Sequence, residues 1–213
     1  MRRNRRAAGV FGAAAAGLVV FACSVGQGQG WARGSAVVRD CMVDIPAYEL
    51  APNFFVADFI EEPATLIGLR RRQVSLRMQR GSYSEDASDG VEIFVRDVDE
   101  VQTTWIGVPI PLGAGAAGPR PLVSMTMYLG QSCPSGHPNS DYFIVPAIFG
   151  AIEGQITFDA IYAPNIAGSG TVFAAHFEGV RVESVVAPAD RNAALDGAFS
   201  FFYQRGRPAQ RFP

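Results

Sequence analysis

The sequence contains no lysine, because all 18 of its Lys and Arg residues are arginine. A Schiff-base lysine and the lysine of a phosphate-binding loop are therefore excluded. Histidine is nearly absent: His137 lies in a Pro/Gly turn and His176 in a strand-like segment, and neither has a cysteine or acid at metal-ligand spacing. The Gly-x-Ser-x-Gly motif of many serine hydrolases is also missing. We therefore predict no catalytic residue, no metal site and no cofactor.

Positive charge is scarce in most of the chain. Residues 23–213 contain all 20 acidic residues but only 14 of the 18 arginines, because the other four lie within the first six residues. Residues 23–213 therefore have a net charge of −6. Domains that bind nucleic acid usually carry a strongly basic surface, so we expect no nucleic-acid partner.

The first 22 residues have the organisation of an export signal. Met1–Arg6 carries four arginines and no acid, and Ala7–Ala22 is uncharged and rich in alanine and valine. The uncharged stretch is shorter than the ~20 apolar residues of a permanent membrane-spanning helix. Its length is typical of a signal-peptide core. We predict that residues 1–22 are a signal peptide.

The segment ends with Val20, Phe21, Ala22 and Cys23. These four residues resemble the lipobox of bacterial lipoproteins, in which a small residue precedes the cysteine that receives diacylglycerol. The resemblance implies cleavage before Cys23 and anchoring to a membrane through lipid on its sulfur. Ser24 stands where an aspartate would favour retention at the inner membrane, so the resemblance implies the outer membrane. Val20 and Ala22 also suit an ordinary secretory peptidase, which leaves a soluble secreted module as an alternative.

Glycine and glutamine alternate over residues 26–30, shortly after the expected lipid site. Such a stretch has no side chain that fills a core, and flexible linkers have this composition. We predict a lipid-anchored flexible tether over residues 23–34 and a single domain over residues 35–213. The length of this last segment is sufficient for one domain with a sizeable core.

Lipid on Cys23 would leave two of the three cysteines, Cys41 and Cys133, as an even pair. Exported proteins fold in oxidising compartments, where a disulfide forms and persists. A Cys41–Cys133 bridge would close a loop of about 90 residues and stabilise the fold by about 4 kcal/mol. We favour this disulfide over two separate buried thiols, because Cys133 lies in a polar turn-like stretch that is unusual for an apolar thiol.

Apolar and polar residues alternate along most segments after residue 35, as in strands with one buried and one solvated face. In Gln73–Gln79 the even positions are apolar, and the odd positions, which include Arg77, are predicted to be solvated. A phase shift at Glu178–Gly179 predicts a β-bulge, and only Asp97–Glu100 has a helix-capping pattern. We predict an all-β fold, a jelly-roll-like β-sandwich of two antiparallel sheets, with a closed β-barrel as the alternative.

Several groups of charged residues are candidate binding or catalytic sites. The acidic stretch Ser84–Gly90 lacks the ligand spacing of a calcium loop and is interpreted as a solvated hairpin loop. The arginines at 70–72, 77 and 80 are interpreted as a solvated strand edge. Three acids, Glu153, Asp159 and Glu178, would suit a polysaccharide hydrolase only if a pair of them met across a groove.

These observations favour a non-enzymatic binding or structural module, anchored by lipid to the outer membrane. Its expected partners are the membrane and an envelope protein or glycan. An envelope polysaccharide hydrolase and a soluble secreted module are the alternatives.

Overall fold

The computed structural model describes residues 28–39, 43–61, 72–81, 88–116, 120–135, 145–161, 172–184 and 189–202. The predicted signal peptide, Cys23 and Cys41 lie outside these residues. In the described part of the chain, no helix has both the length and the apolar character needed to cross a bilayer. The strands are β1 Gly28–Val38, β2 Val43–Leu50, β3 Phe54–Glu61, β4 Arg72–Arg80, β5 Asp89–Val95, β6 Ile110–Pro111, β7 Val123–Ser135, β8 Val145–Ala160, β9 Val172–Glu183 and β10 Arg191–Phe202.

The fold is all-β, which confirms the predicted class. The ten strands form a single sheet in the order β2-β1-β10-β9-β8-β7-β5-β4-β3, with β6 paired to β8. Every strand pairing is antiparallel. The sequence predicted two sheets, but the described strands are continuous by hydrogen bonding and curl into a half-barrel. Alternation along one strand identifies a buried face without showing whether neighbouring strands belong to one sheet or two.

The two edges of this sheet are consecutive in the chain. Strand β2 ends at Leu50 and β3 begins at Phe54, so only residues 51–53 connect them. Four Cα steps span at most about 14 Å, which holds the two edges close together at this point. Adjacent strands are rotated by about 20–25°, so eight successive pairs accumulate roughly half a turn. This twist explains how a short connection joins opposite edges of one sheet.

Aromatic side chains fill the concave side of the curled sheet. The ring of Phe55 on β3 lies 5.7 Å from that of Phe201 on β10, and the Phe59 ring lies 6.1 Å from that of Phe173 on β9. The edge strand β3 therefore crosses the inner faces of β9 and β10. Between Phe201 and the facing side chains of β4 and β5, the space is too small for a water molecule. This interior is a packed core.

The predicted tether is wrong for residues 28–34, which belong to β1 and pair with β10 from Gly28↔Phe201 onward. The glycines here leave room for neighbouring groups. A Cβ on Gly28 would lie 2.5 Å from the Cβ of Phe201, and one on Gly34 would lie 1.7 Å from the carbonyl oxygen of Ala194. The glycines that give this segment the composition of a linker are therefore needed because β1 packs closely against β10.

Two local predictions are confirmed. Helix α1, Val98–Glu100, is capped by Asp97, whose side chain accepts a hydrogen bond of 3.0 Å from the amide of Glu100. The chain continues into a wider helical turn over Val101–Trp105. The predicted bulge in β9 is present at Gly179, which has a φ of 59° and donates its amide hydrogen to Asp196 of β10.

Candidate functional site

Strand β4 is buried on both faces, which differs from the solvated outer face predicted for it. The outer face contributes to a group of side chains that we call the polar cluster: Ser75, Arg77, Gln79, Asp89, Glu92 and Tyr128. Within it, Arg77 is only 5% exposed, so its interpretation as a solvated edge is wrong. The sequence pattern missed this burial because alternation shows the polarity of a strand face and not whether tertiary packing encloses that face.

Strand register brings the members of the polar cluster together. Arg77 lies opposite Glu92, whose carboxylate also accepts a hydrogen bond from the hydroxyl of Ser75. Gly90 lies between Gln79 and Tyr128 in adjacent strands. Because Gly90 has no side chain, the Tyr128 hydroxyl reaches across it and donates a 3.1 Å hydrogen bond to Oε1 of Gln79. The cluster thus links β4, β5 and β7 beyond their backbone pairing.

Asp89 is the most enclosed charge of the polar cluster, with 0% exposure. One of its carboxylate oxygens accepts hydrogen bonds from the amides of Gln131, at 3.1 Å, and Ser132, at 2.9 Å. Its other oxygen accepts from the Ser132 hydroxyl and lies 3.6 Å from Nη2 of Arg80. These contacts hold an irregular part of β7, where its register with β8 shifts. The predicted solvated loop is therefore wrong for Asp89, and residues 82–87 lie outside the described part.

Burial raises the pKa of both Tyr48 and Tyr128 above the ordinary tyrosine value. For Tyr48 on β2, the next largest cause is the negative charge of Asp89, and Arg80 and Tyr128 also act on it. The edge strand β2 is thus electrostatically coupled to the polar cluster on the opposite half of the sheet. Ionisation of either phenol would place an anion in a buried environment.

This pKa shift predicts a loss of stability in alkali. A raised pKa in the folded state means that stability is fully present below the unfolded-state pKa of 10.0 and decreases as the pH rises above it. We expect the free energy of unfolding, measured by urea titration, to fall steadily from pH 9 to pH 11. For Tyr48 and Tyr128, the rise in absorbance at 295 nm that marks tyrosinate formation should appear only when the protein unfolds.

Matched variants identify the source of the alkaline effect. Tyr48→Phe and Tyr128→Phe remove the phenols, so the double variant should lose stability less steeply between these pH values. An equal pH dependence of wild type and double variant would contradict the assignment.

The three acids considered for hydrolysis do not face one another across a groove. All lie on the exposed outer face of the sheet, where Glu153 pairs with Arg181 at 3.0 Å and Asp159 lies 3.4 Å from Nδ1 of His176. Along β8, Asp159 is six residues from Glu153, or about 20 Å. Glu178 is opposite Gln155, four residues from Asp159 and two from Glu153, which puts Glu153 and Glu178 about 7–8 Å apart as diagonal neighbours. A glycosidase pair has its carboxyls about 5–9.5 Å apart across a groove. Glu153 and Glu178 come this close only as exposed side chains on the outer face, where Glu153 is already paired with Arg181.

Within the described residues, no three of the His, Cys, Asp and Glu side chains come together in a way that would hold a metal ion. His137 lies outside the described part. A recess of about 380 Å³ opens between β1, β9 and β10, with Ser35, Glu183 and Asn192 and several alanines among its lining residues. The recess has room for a small polar group and was not predicted by any sequence pattern.

Cys133 is buried, at 2% exposure, just beyond the residues that Asp89 holds. Cys41 and Cys23 lie outside the described residues, so the Cys41–Cys133 disulfide stays a prediction.

Comparisons with protein-family models, with characterised proteins and with solved structures gave no match.

Proposed function

We propose that this protein is an exported bacterial lipoprotein, attached to the outer membrane through lipid on Cys23. The observation that carries the proposal is the position of Cys23, directly after a charged and then apolar segment and followed by Ser24. The start of β1 at Gly28 adds support, because the folded domain then begins five residues after the anchor. A secreted chain without lipid is the competing possibility.

We propose further that the domain is a non-enzymatic binding or structural module of the envelope, acting on a glycan or a protein. The aromatic packing between β3 and β10, with no room for a water molecule beside Phe201, favours this role over transport of a small apolar ligand in the described part of the interior. The position of Glu153, Asp159 and Glu178 on the exposed outer face, with Glu153 paired to Arg181, favours it over the hydrolase alternative, which needs two carboxyls across a groove. A β-sandwich-like packing, in which β3–β5 face β9 and β10, suits a rigid module.

Membrane fractionation tests the anchor. Wild-type protein should sediment with the outer membrane, and Cys23→Ser should leave the membrane fraction because it removes the sulfur that accepts the lipid. Ser24→Asp is the matched variant: it keeps the lipid and should move the protein to the inner membrane. Unchanged fractionation of Cys23→Ser would reject the proposal in favour of another mode of attachment.

Intact mass of the native protein under non-reducing conditions gives an independent readout. The proposal requires a chain beginning at Cys23 with the added mass of diacylglycerol. The same spectrum tests the proposed Cys41–Cys133 disulfide, which lowers the mass by two hydrogens relative to the reduced form. A mass without lipid would support the soluble secreted alternative, whatever the state of the other cysteines.

A further inference from the structure

We infer that one end of the sheet is a membrane-docking surface that lies against the lipid headgroups. The inference rests on the proposed lipid at Cys23 and identifies which surface that anchor would hold against the bilayer. We call this end the neutral rim and define it by Gly28–Ala32 of β1, Gly197–Phe202 of β10 and Val172–Ala175 of β9. The three segments are adjacent in the sheet, at the end where β1 begins.

Charge is distributed unequally between the two ends of these strands. The neutral rim itself contains no Asp, Glu, Lys, Arg or His. His176 and Asp159 lie directly beside it, since His176 is the partner of Ala198 and Asp159 stands between the β8 partners of Ala174 and Ala175. The remaining parts of the same strands carry Arg33, Glu178, Arg181, Glu183, Arg191 and Asp196, together with His176. A bilayer surface tolerates contact with an uncharged protein end, whereas burying unpaired charges against it is costly.

Two aromatic side chains on the outer face of the neutral rim are exposed. Trp31 is 38% exposed and Phe202 is 57% exposed. Tryptophan is enriched at membrane interfaces because its ring is apolar and its N–H remains able to donate a hydrogen bond. The guanidinium of Arg33, which pairs with Glu49, lies 5.2 Å from the centre of the Trp31 ring at the border of the rim.

The short connection between Cys23 and β1 favours a bilayer over other occupants of this surface. Between Cys23 and Gly28 there are only residues 24–27, and five Cα steps span at most about 18 Å. Lipid on Cys23 therefore holds the beginning of β1, and with it the neutral rim, within this distance of the headgroups. A protein partner or a second copy of this chain would have to displace the membrane from the rim.

Tryptophan quenching by brominated lipid tests the docking. The chain has two tryptophans, Trp31 and Trp105, so Trp105→Phe leaves Trp31 as the sole reporter. The matched control is Trp31→Phe with Trp105→Phe and Ile148→Trp, which moves the reporter to an exposed position. The backbone pairings align Trp31 with Thr157 of β8. Ile148 is nine residues from Thr157, or about 30 Å along the strand.

Lipidated protein would be reconstituted into vesicles of phosphatidylethanolamine and phosphatidylglycerol, with and without dibrominated phosphatidylcholine. In protein that floats with the vesicles, the emission of the Trp31 reporter should fall when brominated lipid is present, because an indole at the membrane interface lies close to the lipid. The reporter at position 148 should lose almost none. If Trp105→Phe does not fold, the difference in quenching between wild type and Trp31→Phe gives the same comparison.

The outcomes separate docking from anchoring. Floating protein in which Trp31 is quenched no more than the control would overturn the docking surface while leaving the lipid anchor in place; a partner protein or a second copy would then be the better occupant of the rim. Protein that does not float would overturn the anchor, and the docking surface with it.

Discussion

Replacing Gly34 with alanine is expected to lower the free energy of unfolding by about 3 kcal/mol or more, at the upper end of the cost of overpacking. The added Cβ would lie 1.7 Å from the carbonyl oxygen of Ala194 and 2.7 Å from its carbonyl carbon. Both are backbone atoms of the paired strand β10, so no side-chain rotation relieves the contact. The strands would have to separate where β1 joins the sheet.

The matched control is Gly150→Ala in β8. Gly150 has no heavy atom within 4 Å of the position of a Cβ, so the substitution should change the free energy of unfolding by less than about 0.5 kcal/mol. Urea unfolding followed by tryptophan fluorescence measures both variants. Equal effects of the two substitutions would mean that the close contact between β1 and β10 is not as described.

Replacing Asp89 with alanine should be comparably damaging, at about 3–5 kcal/mol, which is typical of breaking a buried charged network. The substitution leaves the amides of Gln131 and Ser132 without their acceptor and removes the partner of Arg80. Because these contacts hold β7 just before Cys133, we also expect more extensive hydrogen exchange over residues 129–133.

An exposed ion pair provides the comparison for Asp89. Glu49 pairs with Arg33 at 3.0 Å, and both side chains are more than half exposed. Glu49→Ala should therefore cost no more than about 1 kcal/mol. Urea unfolding of both variants at one pH compares their losses in the free energy of unfolding. A loss for Asp89→Ala no larger than that for Glu49→Ala would refute the role assigned to Asp89.

Local sequence patterns were sufficient for features that depend on neighbouring residues. The alternation around Leu76 gave a correct strand and a correct buried face, and Asp97 and Glu100 gave the correct start of the helix. Gly179 marked the bulge because the apolar phase changes beside it. Each of these features depends on the period of a strand or on a hydrogen bond between residues close in sequence.

Features set by distant parts of the chain were not predictable in this way. Gly28 and Gly34 were assigned to a tether because composition does not reveal that Phe201 and Ala194 approach them from β10. Arg77 and Asp89 were expected in solvent because their burial depends on tertiary packing. The exposed aromatics of the neutral rim were missed for the same reason, since Phe202 follows directly after the buried Phe201. The site at Cys23 is predicted from sequence alone and stays a prediction.

The position of β10 between β1 and β9 has a consequence for the order of assembly. Under the proposed export, the chain would cross the inner membrane from its N-terminus, so β1 would emerge long before residues 191–202, its partners in the sheet. Until β10 arrives, β1 and β2 form only a two-stranded ribbon, which is marginally stable by itself. Pairing at such sequence separation is slow, and slow folding prolongs the exposure of unpaired strand edges. The nascent protein should therefore depend on periplasmic chaperones, and truncation before residue 191 should yield an insoluble product.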